Sequence, residues 1–109
     1  MKVPKAMDIF GAKYRVRVEH RGVRNDLLDE RPLGGCCVSS RRQIELNGDS
    51  VPERVRRILA HEVLHCVDIE TTDAGTTLAE RDIYRLAAGL DYVLAKNPAF
   101  VAMYAREKR

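Results

Sequence analysis

The hydrophobic pattern of this chain changes period at Asn47-Gly48-Asp49, and that change limits the folds open to it. Ahead of it, Lys13 to His20 alternates strictly, with Tyr14, Val16, Val18 and His20 on one side and charged residues on the other. That two-residue repeat is a half-buried strand. Ala6-Met7-Asp8-Ile9-Phe10 followed by Gly11-Ala12 predicts a short partner strand and a tight turn. Arg21 to Gly35 mixes charges with Gly22, Pro32, Gly34 and Gly35, shows no period and reads as a long loop. Cys36-Cys37-Val38 and Gln43-Ile44-Glu45-Leu46, joined through Ser39-Ser40-Arg41-Arg42, predict a second hairpin. The expected sheet is antiparallel, with three or four strands.

Beyond Asp49, Val51, Val55, Ile58, Leu59, Glu62, Cys66 and Ile69 recur at helical spacing. Ser50 and Glu53 have the spacing of a capping box, and Pro52 is tolerated in a first turn, so the helix is expected to start near Ser50. Thr71 to Thr76 interrupts the pattern. A second amphipathic helix is expected over about Leu78 to Ala95, burying Ile83, Leu86, Ala87, Leu90, Val93 and Leu94. Asn97-Pro98 ends it and opens a short last helix carrying Phe100, Val101 and Tyr104. Strands first and helices after make an α+β fold, and 109 residues fit a single domain.

Net charge is +3, yet the arginines are dispersed among carboxylates, as in Glu53-Arg54-Val55-Arg56-Arg57, with little aromatic interleaving. Nucleic acid is therefore not strongly signalled as a partner. The first residues lack the apolar core of a signal peptide and no stretch has membrane-spanning length, so a cytoplasmic protein without membrane contact is expected. Cys36, Cys37 and Cys66 lack the spacing of a disulfide framework and read as reduced thiols.

The chemistry concentrates in His61-Glu62-Val63-Leu64-His65. Two histidines four apart lie one turn apart on a helix, so both imidazoles can reach one zinc ion. Glu62 sits about 100° around the helix, an offset suited to acting on a water beside the metal. A catalytic zinc normally takes a third protein ligand. Asp68, Asp73, Glu80 and His20 are the candidates. Asp68 shares the histidines' face but suits an acceptor for an imidazole N–H or a solvated carboxylate, and Asp73 suits a turn. Glu80 would face the histidines if the two helices packed antiparallel, yet Thr77-Leu78-Ala79-Glu80 is also a capping-box pattern.

At these residues the chain resembles small metallopeptidase-like proteins of bacteriophages and prophages and, more distantly, the peptidase domain of the ImmA/IrrE family. The pattern is a hairpin, Gln43-Ile44-Glu45-Leu46, then Leu59-Ala60-His61-Glu62-Val63-Leu64-His65, then Glu80 to Leu86-Ala87, and Asn97-Pro98. The resemblance spans nearly the whole chain and implies a minimal zincin-like domain. It implies that His61, His65 and Glu80 bind zinc and that Glu62 is the catalytic base. The chain departs from ImmA-type proteins in having no helix-turn-helix segment and in carrying Cys66 where a small residue is usual, so no repressor target carries over.

The expected function is therefore zinc-dependent hydrolysis of a peptide or protein substrate, which could lie as an added strand along residues 36–46. Tyr84 and His20 are candidate oxyanion stabilisers, each also readable as an ordinary core or surface residue. The alternative is a catalytically silent zinc-binding interaction or regulatory protein of phage or prophage origin. A metal-dependent nuclease or nucleic-acid binder using the arginines is a more distant rival.

Overall fold

The computed structural model describes residues 2–20, 23–25, 29–33, 35–49, 51–72 and 78–106. The first hairpin joins β1 (Ala6–Ile9) to β2 (Ala12–Glu19) through Phe10 and Gly11, both at positive φ (53° and 84°). A two-residue loop of that hand matches the twist of the flanking strands. No atom would meet a Cβ on Gly11, so glycine serves there for its backbone freedom, and Asp8 Oδ1 accepts the Gly11 N–H at 2.7 Å.

Between β2 and β6 (Gln43–Asn47) the chain forms β3 (Val23–Asn25), β4 (Asp29–Leu33) and β5 (Gly35–Val38). The order in the main sheet is β1-β2-β6-β5. β1 and β5 pair antiparallel with their neighbours, while β2 and β6 run parallel, Val16 opposite Ile44 and Val18 opposite Leu46. The expectation of an antiparallel sheet is thus corrected: the sheet is mixed. A parallel pair needs a long crossover, and residues 20–42 supply it. The expected loop over Arg21 to Gly35 is corrected as well, since β3 and β4 pair antiparallel with a register shift between Val23 and Asn25. Strands this short and irregular leave no two-residue period to read.

Helix α1 (Pro52–Thr71) crosses this sheet, followed by α2 (Glu80–Lys96) and α3 (Pro98–Arg106). Val51 is the N-cap of α1 and Pro52 its first residue. The expected partner of Glu53, Ser50, lies outside the described residues. Val55 and Cys66 of α1 close over Ile9, Ala12, Tyr14, Ile44 and Leu46, with Ile58, Leu59, Val63 and Val67 partly buried around them. Burial of each large side chain stabilises the packing by about 1.5–3 kcal/mol. Tyr14 is fully buried and its hydroxyl donates to Glu70 Oε2 at 2.6 Å, tying β2 to the end of α1. Burial and that carboxylate raise the Tyr14 pKa above its ordinary value.

Only Ile83, Ala87 and Asp91 of α2 are buried, one turn apart on the face toward α1. Leu86, Leu90, Val93 and Leu94, expected in the core, are exposed, as are Phe100, Val101 and Tyr104 of α3. The apolar stripe of α2 is wider than the face α1 covers. Among the described residues, no helix is long and apolar enough to cross a membrane.

Candidate metal centre

His61 and His65 project from the middle of α1, and the antiparallel packing of α2 brings Glu80, its first residue, over them. The two Nε2 atoms lie 3.2 Å apart. Glu80 Oε1 is 2.6 Å from His61 Nε2, and Oε2 is 3.0 Å from His65 Nε2. Tetrahedral zinc with bonds of about 2.0–2.1 Å sets neighbouring donors about 3.3 Å apart, so the two imidazoles are already spaced for it. The imidazole side chains are mostly buried and the Glu80 side chain is mostly exposed, leaving the ligand set open to solvent on the Glu80 side.

Glu62 points from the same turn into the layer between α1 and the sheet edge and is only 7% exposed. Burial, with the Glu80 carboxylate adding to it, raises its pKa from 4.5 to about 7. A carboxyl poised there can both take and return a proton near neutral pH. Gly35, in the edge strand β5, makes room for it. A Cβ at Gly35 would stand 2.7 Å from Ile58 Cγ2, 3.1 Å from the Glu45 carbonyl oxygen and 3.3 Å from Glu62 Cγ.

A cleft of about 300 Å³ opens beside His61 and Glu62. Tyr84 lines it, 64% exposed, with its ring centroid 6.3 Å from that of His61, so it is a rim residue rather than core. Arg54 and Arg57 line its far end.

The other candidates lie elsewhere. Asp68 Oδ2 accepts the Leu78 N–H at 3.0 Å and Oδ1 accepts from the Thr72 hydroxyl, which makes Asp68 a brace for the approach to α2 and not an imidazole acceptor. His20 is exposed, 3.5 Å from Asp49 Oδ1. Asp73 falls outside the described residues, as does Thr77, the other half of the capping box read for Glu80. Glu80 follows directly on the N-cap Ala79, two residues short of where a capping-box glutamate stands. Its carboxylate turns to the histidines instead.

Three features escaped the sequence reading. Asp91, 6% exposed, takes Arg56 Nε at 2.7 Å, with Arg57 Nε 3.7 Å away. That pair holds the end of the α1–α2 contact opposite Glu80, and the Asp91 hydrogen bond raises the Arg56 pKa. Cys37 and Cys66 bring their sulfurs to 3.1 Å, both as free thiols. The hydrogen bond to Cys37 and burial keep Cys66 protonated. Arg54 and Arg57 are the third feature. Their spacing to Ile58, His61 and Glu62 is that of one helix face, a signal available in the sequence.

No protein-family model, curated protein or solved structure matches this chain.

Proposed function

We propose that the chain is a zinc-dependent peptidase of minimal zincin-like form, akin to the small phage and prophage metallopeptidase-like proteins and distantly to the ImmA/IrrE peptidase domain. The observation that carries this reading is the convergence of three donors on one point, His61 Nε2, His65 Nε2 and a Glu80 carboxylate oxygen within 4.8 Å of one another, beside a buried carboxylate that is not one of them. Two imidazoles and a carboxylate are a familiar donor set for a catalytic zinc, which when bound polarises a carbonyl and makes water acidic. Glu62 takes the proton of the attacking water and delivers it to the leaving amine, since it stands beside the three donors without being one of them. Tyr84 stands at the rim, able to donate its hydroxyl to charge developing on the carbonyl oxygen. The substrate runs along β5, the strand at this edge of the main sheet, held by main-chain hydrogen bonds.

Metal analysis beside a peptide-cleavage assay tests this. Wild type and Glu62→Gln are expected to hold one equivalent of zinc, while His61→Ala and His65→Ala lose it and Glu80→Ala binds it more weakly. Cleavage should fall by about 10²-fold or more in Glu62→Gln. Undiminished cleavage by zinc-loaded Glu62→Gln would overturn the mechanism.

A second reading has one observation in its favour. Leu90 and Leu94 of α2 and Phe100, Val101 and Tyr104 of α3 form a shallow apolar groove open to solvent. Such a surface suits contact with another protein, so a zinc-binding interaction protein is the alternative. It predicts that function in the native setting survives Glu62→Gln.

A further inference from the structure

The cleft beside the metal centre has unlike ends. Of the residues that line it, His61, Glu62 and Tyr84 belong to the turns nearer the Glu80 contact of the antiparallel α1–α2 pair, Arg54 and Arg57 to the turns nearer or beyond the Asp91 contact, and Ile58, Ala87 and Ala88 come between them along the helices. Arg57 is one helical turn from His61 and Arg54 nearly two, about 6 and 10 Å along the axis. An extended peptide covers that span in two to three residues. The nearest carboxylate to Arg57 is Asp91, and it is more tightly engaged elsewhere: Arg56 holds it at 2.7 Å, Arg57 stands 3.7 Å away, and the Arg57 side chain stays 57% exposed. Arg54 has no carboxylate within ion-pair distance among the described residues. Two guanidinium groups at the end of a short apolar trough are the donors a carboxylate needs, since each presents a planar fork of N–H groups.

We propose that this cleft is a substrate subsite for a carboxylate two or three residues from the bond that is cut, with Arg54 and Arg57 as its specificity residues. The inference rests on the peptidase reading, because His61 and Glu62 mark the end where the bond lies. The carboxylate belongs either to an aspartate or glutamate side chain or to the C-terminus of a short peptide, and both offer the same two oxygens.

The test uses the zinc-loaded full chain and a synthetic library of amidated octapeptides, with cleavage sites read by mass spectrometry. Cleaved bonds should be enriched in Glu or Asp over Gln or Asn two or three residues away on one side, by about 3- to 5-fold in kcat/KM, the upper part of the range for a solvent-accessible charge pair. A second arm compares free-acid with amidated peptides lacking acidic side chains; preference for the free acid assigns the carboxylate to the C-terminus. Arg54→Gln/Arg57→Gln should remove the preference and Arg54→Glu/Arg57→Glu invert it toward Lys, while Arg15→Glu, on the sheet, leaves it intact. Melting curves identify any variant that has not folded. Cleavage without acidic preference, or a preference that survives Arg54→Gln/Arg57→Gln, overturns the subsite and leaves the peptidase reading standing. If zinc-loaded wild type cuts no peptide, the peptidase reading fails, and binding of fluorescein-labelled Glu and Gln peptides to Glu62→Gln decides the subsite. At least threefold tighter binding of the Glu peptide, lost with the arginines, supports it; equal binding overturns it.

Discussion

Glu62 is where burial and chemistry oppose each other. Its carboxyl lies 7% exposed next to a second carboxylate, an environment that favours the neutral form. In the metal-free protein the sign follows directly. With the folded pKa at about 7 and the ordinary value at 4.5, the folded state binds more protons than the unfolded state in between. Stability associated with Glu62 is complete below pH 4.5, declines as pH rises and is lost above about pH 7. The full loss is about 3 kcal/mol, at 1.36 kcal/mol per pH unit of difference. Glu62→Gln, neutral at every pH, should therefore melt near wild type at pH 5 and several degrees above it at pH 8, both without metal. Equal melting temperatures at pH 8 would show that the carboxyl is not desolvated. Gly35 bears on the same side chain from across the cleft. Gly35→Ala, whose Cβ would press on Ile58 and Glu62, should cost about 1–3 kcal/mol in thermal unfolding. At this scale the placement of His61, Glu62 and His65 on one helix was legible, because their relation is local to that helix. Gly35 was not, because its need for a bare Cα comes from a helix packed over it after an intervening turn and strand.

The α1–α2 pair is held by polar contacts at both ends and small apolar contacts between. Asp91 meets Arg56 at one end, Glu80 meets His61 and His65 at the other, and Ile83 and Ala87 lie between them. Asp91 and Glu80 thus lie at opposite ends of one helix pair, so a change at Asp91 that let α2 slide along α1 would move Glu80 as well. Asp91→Asn keeps the shape and loses the charge. It should lower stability by about 1–3 kcal/mol, the range for weakening a charged hydrogen bond to a buried group. It should also weaken zinc binding while leaving the stoichiometry at one ion. Unaltered zinc affinity in a destabilised Asp91→Asn protein would separate the two ends of the contact. The helical period of α2 was readable, but its burial was not. The expected core face took in Leu86, Leu90, Val93 and Leu94 because hydropathy reports what could be buried, whereas a single facing helix covers only the narrow stripe through Ile83, Ala87 and Asp91. The parallel pairing of β2 with β6 was hidden for a related reason: strand direction depends on the crossover, and the crossover strands carry no clear period.

Across the whole molecule, the apolar residues divide into a core shared by the sheet and α1 and an exposed set on α2 and α3. Replacing both Leu90 and Leu94 by Glu should reduce binding of an apolar dye with little change in melting temperature, because neither side chain supports the core. A large fall in melting temperature would instead show that the groove stabilises the fold. The same division assigns zinc a structural consequence. The core cluster is built from the sheet and α1, while α2 packs on α1 outside that cluster, through Ile83 and Ala87 and two polar ends, one of which is the candidate metal centre. An ion bound by His61, His65 and Glu80 would join the first turn of α2 to α1. Binding to the folded state alone adds about 2.7 kcal/mol when free zinc is 100-fold above its Kd. For a chain of this size that is a rise in melting temperature of roughly 10–20 °C. His61→Ala should abolish the rise. Amide exchange should locate it, with α2 slowing more than β2 when zinc is added. If zinc raised the melting temperature of wild type and His61→Ala equally, the ion would be bound at another site, and the assignment of these three donors would fail.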